Sequence, residues 1–393
     1  MKEVWPWVVT GWLNGIRLED ISSESVDHDI MSGMSGSHAG KKVFVGSMDD
    51  QKDPLGSSIH ALKSLNYDVV DVGTGNSIAV SERIGTAIAK DPYHSVGIGF
   101  GQTGNDVLVL GSKCPFVIGS RCVTVSDAET TRRHNNPNFL GVGSSAGTSQ
   151  IPLILTWLET EFYTGSDSDD KKRMRRYLQT LAIKSEAYEQ AGIRDTEAAA
   201  YPMSSYEGKI IIYLGSDHRA ADDFRKLEGL LHELDNDLEI MMIDENIGYC
   251  NNESSSQECD YPLISAEVGR MLSKASSPAL AIVGCGSGIG MISGAANYEG
   301  VYAARCLSNE DAERAVSAYN NCIGIGCDLV GFDKGAGVNP FDIAGAALAA
   351  LKERSSTAKP DSVINKLMKI QTRIYLKEAE GRIYQSAKKL YGF

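Results

Sequence analysis

A cysteine set among glycines, in Cys285-Gly286-Ser287-Gly288-Ile289-Gly290-Met291, is the segment of this chain best suited to chemistry. It follows the apolar run Ala279–Gly284, so it reads as a strand entering a turn and then a helix. Glycines in such a turn let the backbone approach a ligand and present N–H groups to an anion, assisted by the next helix N-terminus. A thiol placed there is expected to have a lowered pKa and to act as a base or nucleophile. The plainer alternative is a buried structural cysteine beside a tight turn. A dinucleotide site would want GxGxxG with an acidic residue roughly 20 positions on, whereas the spacing here is GxGxG.

Two further segments carry polar groups at the end of apolar runs. Gly215-Ser216-Asp217-His218 could orient a hydroxyl and meet a phosphate, or form an Asx turn with a surface histidine. Cys259-Asp260-Tyr261-Pro262 reads as a turn before a helix starting near Leu263. The basic run Lys171-Lys172-Arg173-Met174-Arg175-Arg176 is either an anion-binding stretch or a solvated helix face.

The elements that must position these groups come as an internal repeat. Lys42–Ser47 is matched by Ile211–Ser216, and Val69–Gly73 by Ile240–Asp244. Val96–Gly101 is matched by Ala281–Gly286. Arg121-Cys122 and Arg305-Cys306 follow, each with Asp-Ala-Glu shortly after; Asn135-Asn136 and Asn320-Asn321 then precede another apolar, Gly-rich strand. Strands alternating with helical patterns imply parallel sheets covered on both faces. The expected fold is therefore α/β, with two tandem Rossmann-like, doubly wound parallel-sheet domains forming a pseudo-dimer. The boundaries expected are a poorly ordered leader or docking arm over 1–40, a first domain over 41–200 and a second over 208–393. The helical segments 151–200 and 341–392 would close their own units. The stretches Thr164–Lys172 and 203–208 mark a loop and the boundary.

Bulk properties narrow the partners. The chain has 393 residues, with 42% hydrophobic and 23% charged, which is ordinary for a soluble protein of about two domains. A net charge of −13 argues against nucleic-acid or anionic-membrane binding. Eight cysteines show no metal-type pairing, so we expect free thiols, no metal, and a reducing compartment, the cytoplasm. No run approaches the roughly 20 apolar residues of a membrane span. The leader holds three of the four tryptophans and lacks signal-peptide or transit-peptide character.

Together Gly215–His218, Asp260–Pro262 and Cys285–Met291, followed by Ala295-Ala296-Asn297, resemble the type B ribose-5-phosphate isomerase family, which includes the bacterial galactose-6-phosphate isomerases. The resemblance covers about 209–335 well and 42–190 more weakly. It implies aldose–ketose isomerisation without metal or cofactor. Cys285 would be the base moving a proton between C1 and C2. Ser287 and the amides of Gly286, Gly288 and Gly290 would hold the enediolate oxygen. Asp217 would bind the ring oxygen or a hydroxyl, and His218 the phosphate side, with Tyr261 and Asn320 also lining the substrate site.

Family members are dimers whose pockets take a ring-opening histidine and arginines from the partner. The second copy lacks that histidine, showing Ala318-Tyr319 in its place, whereas the first has His134 followed by Asn135, and Arg173 and Arg176 further on. The first copy has lost the rest: Met48-Asp49 replaces Asp-His, Phe100 stands at the cysteine position, and Gln102-Thr103-Gly104-Asn105 breaks the glycine spacing. The losses are complementary. One composite pocket is expected, with Asp217, His218, Cys285 and Ser287 from one copy and His134, Arg173 and Arg176 from the other. The opposite pocket should be dead. An arginine usual in the family is absent, Asp328 and Ser145 standing there, so the phosphate contact is altered; the insertion Asn246–Glu258 could reshape the pocket mouth. The expected reaction interconverts ribose 5-phosphate and ribulose 5-phosphate. The alternatives are isomerisation of another phosphorylated sugar and a catalytically degenerate sugar-phosphate-binding protein. Self-association beyond the internal pair is left open.

Overall fold

The computed structural model describes residues 37–144, 150–162, 169–193, 209–243, 261–275, 277–330 and 339–356, with Leu367, Ile370, Gln371 and Ile374. Residues 1–36, 145–149, 163–168, 203–208 and 244–260 lie outside, and with them Ser145, Cys259, Asp260 and the insertion 246–258.

The first half forms β1 (Lys42–Met48), α1 (Lys52–Ser64), β2 (Asp68–Gly75), α2 (Ser77–Lys90), β3 (Ser95–Gly101), β4 (Gly119–Arg121), α3 (Val125–Asn135) and β5 (Phe139–Gly143). The helices α4 (Gln150–Glu159) and α5 (Asp170–Ile193) follow. The second half repeats the plan with β6 (Ile210–Ser216), α6 (Ala221–Leu234), β7 (Leu238–Met242), α7 (Tyr261–Ser273), β8 (Ala279–Cys285), α8 (Ile289–Ala295), β9 (Ala303–Cys306), α9 (Asn309–Ala318), β10 (Cys322–Gly326) and α10 (Pro340–Ser356). Strands β3, β5, β8 and β10 are buried along their whole length, which is why they read as unbroken apolar or glycine runs. Both sheets are parallel, with the orders β2-β1-β3-β5-β4 and β7-β6-β8-β10-β9. Strand order reverses between β1 and β3, and between β6 and β8, so the crevice beyond these carboxyl ends is where a ligand belongs.

The repeated Arg-Cys and Asp-Ala-Glu segments have a joint purpose. Thr124 and Ser308 cap α3 and α9 by accepting from the amides of Asp127 and Asp311, each at 3.1 Å. Those aspartates accept in return from Val123 N and Leu307 N, each at 3.0 Å. They also face the opposite half. Arg305 Nη1 donates to Asp127 at 2.6 Å and to Arg121 O at 2.9 Å, while Arg121 Nη1 donates to Asp311 at 2.7 Å and to Arg305 O at 3.1 Å. Such an exchange, each half giving what it receives, is the mark of an isologous two-fold interface. Arg305 is fully buried and Asp127 nearly so; losing one partner of a pair this deep costs about 3–5 kcal/mol.

One expectation about packing is corrected. Helix α4 does close its own unit, Leu153, Ile154, Trp157 and Leu158 packing with Val43, Ile98 and Leu140. Helix α5 instead crosses over: Met174, Leu178, Leu181 and Ile183 pack with Ile264, Val268, Val283 and Met291 of the second half. Leu367 and Ile370 make the return crossing, packing beside Val109 and Leu110. The reason is apolar area: the second sheet's flank stays uncovered until α5 is laid on it. Among the described residues no helix is long and apolar enough to cross a membrane.

Candidate active site

Cys285 ends β8 at the reversal point, buried, and its Sγ accepts from the amide of Gly288 at 3.1 Å. The loop is clamped from below. Cys327 N donates to Cys285 O and Asp328 N to Gly286 O, both at 2.9 Å, and Arg305 Nε donates to Ser287 O at 2.8 Å. The interface arginine thus also fixes the loop. Gly288 has φ +76, and a Cβ there would come within 2.8 Å of Gly326 N, so only glycine fits. Neither the amide of Gly286 nor that of Ser287 donates to another described residue, and both residues line the cavity.

Asp217 follows β6 beside this loop. It is 5% exposed, and its carboxylate accepts from Arg219 N at 3.0 Å. The segment is therefore an Asx turn and also part of the cavity, with His218 exposed at the mouth. Arg219 pairs with Asp328 over Gly286. Asp328, which stands where the resemblance implies an arginine, thus has its carboxylate matched by a cation.

The other wall comes from the first half. Helix α3 ends in Asn136, left-handed at φ +48, directly after His134 and Asn135. Helix α5 begins with Asp169 beside it and presents Lys172, Arg173 and Arg176. Together with Tyr261 these groups enclose a cavity of ≈ 230 Å³ against Asp217, Cys285, Gly286 and Ser287. Asn135 is 5% exposed, and its Oδ1 has no partner among the described residues. A buried acceptor left open beside a cavity is suited to a ligand hydroxyl.

Electrostatics separates the acid–base groups. Burial first, then the charges of Arg173, Arg219 and Arg176, pull His134 down to about 4, so the imidazole is neutral at pH 7. Burial pushes Asp217 up, against the pull of His218 and the nearby arginines. Cys285 is also raised, by burial and then by the Asp217 carboxylate. That reverses the lowered thiol pKa expected from the sequence. The amides of Met291 and Gly288 and the Ser287 hydroxyl favour the thiolate, but full burial outweighs a helix as short as α8.

The family model for Ribose/Galactose Isomerase matches residues 47–177 and again 212–336, more than half of the chain. The chain belongs to the ribose/galactose isomerase family. The two matches are its two tandem copies. The DNA damage-repair/toleration protein DRT102 of Arabidopsis thaliana is 41% identical over 125 residues, 31% of this chain and 40% of that protein's length. Ribose-5-phosphate isomerase B of Mycoplasma genitalium, solved with ribulose 5-phosphate, aligns at TM-score 0.34 and 21% identity over 37% of this chain and 97% of its own. The enzyme from Anaplasma phagocytophilum aligns at TM-score 0.31 and 21% identity, over 43% and 99%.

Measured against the ribose/galactose isomerase motifs, the cavity gathers Cys285, His134, Ser287, Asp217, His218, Tyr261, Gly286, Arg173 and Arg176. Three expected residues stand elsewhere. Gly288 turns its amide to the thiol rather than outward. Gly290 lies behind the loop, where the absence of a side chain lets the Tyr261 ring pack within 2.9 Å of its would-be Cβ. Asn320 is buried at the end of α9, with its carbonyl accepting from Arg354 at 3.4 Å. The two-fold relation explains this, since it is the end of α3 and not that of α9 that borders the cavity lined by Cys285, so Asn135 lines it and Asn320 does not. Sequence reasoning did not propose Asn135, Asp169 or Arg219 as site residues, and offered Lys172 only within the basic run 171–176. The Asn-Asn repeat and the position of Arg219 beside Asp217-His218 were signals for two of them.

Proposed function

We propose that this protein is an aldose–ketose isomerase interconverting ribose 5-phosphate and ribulose 5-phosphate in one composite site. The observation that carries the reading is the cavity itself, where complementary residues retained by different copies meet. In this mechanism neutral His134 takes the proton of the anomeric hydroxyl while the Asp217 carboxyl gives one to the ring oxygen, opening the sugar; opposed shifts suit the two groups to these roles. Cys285, once deprotonated, removes the C2 proton. The electron pair forms the C1–C2 double bond and passes to the carbonyl oxygen, giving an enediolate. The new thiol returns its proton to C1, and a proton moves between O1 and O2. The free amides of Gly286 and Ser287 and the Ser287 hydroxyl hold the developing oxyanion. Arg173 and Arg176, with His218, take the phosphate, and Asn135 Oδ1 accepts from a sugar hydroxyl. The six described cysteines are free and buried, which supports a reducing compartment, the cytoplasm.

The protonated resting thiol favours a second reading, a sugar-phosphate-binding protein without turnover. Turnover of ribose 5-phosphate by the purified protein separates the two. Activity abolished in Cys285→Ala and sharply reduced in His134→Ala supports the composite enzyme. Binding of ribose 5-phosphate without turnover supports the binder.

A further inference from the structure

His38 precedes β1 and lies outside both segments that match the family model, yet it is 1% exposed. Its amide donates to Leu158 O at 2.6 Å, and its ring lies 4.8 Å from the Trp157 ring. Nε2 bonds Pro137 O at 3.0 Å, and Nδ1 lies 3.5 Å from Arg132 Nη2. A carbonyl can only accept and a guanidinium only donate, so one arrangement satisfies both: a neutral imidazole with its proton on Nε2. Burial, then Arg132 and Lys41, favour that neutral form. The charged neighbours that act on it are cations, and the Asp91 carboxylate acts on Lys41.

The residues His38 touches bracket His134. Arg132 precedes it, is fully buried, and lies over the Phe162 ring at 6.0 Å. Its Nη1 donates to the Asn136 side-chain oxygen, and Asn136 N donates back to Arg132 O at 3.2 Å. Asn136 is the left-handed residue that ends α3, and Pro137 follows it. Helix ends carry unsatisfied carbonyls and fray unless tied. Here the ties run from His134-Asn135 on both sides to one imidazole of the preceding segment.

We infer that His38 is a positioning residue for the composite site, a pin contributed by the segment before β1 that holds the His134-Asn135 turn against the second half's cysteine loop. The inference rests on the reading of His134 as the ring-opening group. A misplacement of about 1 Å in such a group costs on the order of 10²-fold in rate, so a partly released turn should lower kcat by about tenfold or more.

The test uses the full chain with His38→Ala, His38→Gln and Asn136→Gly. Glutamine can still donate to Pro137 O, and glycine keeps the left-handed backbone while removing only the tie to the Arg132 side chain. Two quantities are read: kcat and KM on ribose 5-phosphate, and the His134 titration midpoint from imidazole NMR. His38→Ala should lower kcat about tenfold with KM within about twofold, and raise the His134 midpoint from about 4 toward 6.5 as the turn leaves its buried seat. His38→Gln should restore both, and Asn136→Gly should shift the midpoint the same way. An unchanged His134 midpoint in folded His38→Ala overturns the inference, even where kcat falls, because the loss would then be general destabilisation. If His38→Ala does not fold, the midpoint in Asn136→Gly decides. If the parent protein turns over no sugar phosphate, the function proposed above fails while the midpoint still decides the role of His38.

Discussion

Two loops leave matching strands at matching places, and among the described residues they differ in what they face: one binds its own aspartate, the other lines a cavity. Near the end of β3, Phe100 is buried in the core, and the loop that follows supplies its own anion: Gln102 N donates to Asp106 Oδ2 at 2.8 Å and Thr103 Oγ1 to Oδ1 at 3.3 Å. After β8 a thiol replaces the phenyl ring, and the amides of Gly286 and Ser287 stay free among the described residues. The facing elements differ in the same sense. His134 looks onto the second loop from among arginines, whereas Tyr319, with its hydroxyl on Ser77, sits in an apolar cluster with Val109, Leu110, Tyr302 and Leu367. The halves keep identical interface chemistry in Arg121 and Arg305 and in Asp127 and Asp311. The comparison teaches that the frame holding two copies together is retained in both, while chemistry at strand ends diverges separately.

The largest expected contrast is between Cys285 and Phe100, the same position in the two copies. Cys285→Ala should lower kcat/KM on ribose 5-phosphate by about 10³-fold, within the range for loss of a general base, with little change in denaturation midpoint. Phe100→Ala should do the reverse, destabilising by about 3–5 kcal/mol in a urea melt while the folded enzyme keeps its kcat/KM. A folded Phe100→Ala protein with a large loss of kcat would break the comparison, since both loops would then serve the reaction.

The frame was legible in the sequence because glycine-ended apolar runs and the paired Arg-Cys segments repeat in order, and those features follow from backbone and packing demands that both copies share. The strand-end residues Asp217 and Cys285 were legible for a different reason, the family-like motifs that only the second copy carries. Three things were not. The crossing of α5 was hidden because its apolar stripe looks alike whichever unit it covers. The direction of the Cys285 shift was missed because loop glycines advertise N–H groups, whereas burial by Tyr261, Asp217 and the crossing helix belongs to tertiary structure. Asn320 was chosen by its own copy's register, although the two-fold relation sends that register to the other loop.

A smaller and more gradual contrast lies in pH. A base of raised thiol pKa is mostly protonated at pH 7, so kcat/KM should climb about tenfold per unit from neutral into the alkaline range, levelling only above the usual thiol range. His134 stays neutral throughout this range. Its effect appears in stability instead. The unfolded chain binds a proton on His134 near 6.5 and the folded one only near 4, so below 6.5 the unfolded state takes up more protons. Stability should therefore fall as pH drops from 6.5 to 4, and His134→Ala should flatten that slope in urea melts. Tyr319→Ala, at the matching position, should leave the slope unchanged, because its raised pKa lies far from this window. An equal flattening by both variants would mean that the slope belongs to the interface rather than to the open cleft.

The smallest effect should come from emptying the occupied loop. Asp106→Ala leaves Gln102 N and the Thr103 hydroxyl without their internal acceptor, which should cost about 1–2 kcal/mol. Catalysis is a sharper question, because Asn105 beside it exchanges hydrogen bonds with the Arg305 backbone at 2.8 and 3.1 Å, and Arg305 Nε holds Ser287 O. The closed loop is thus joined to the open one through a single arginine. If Asn105 keeps its place when Asp106 is removed, kcat/KM should stay within about twofold, and the closed loop acts only as a strut. A loss of kcat that follows the stability loss would instead make Asp106 part of what aligns Ser287, and the first copy would have traded its own chemistry for support of the second.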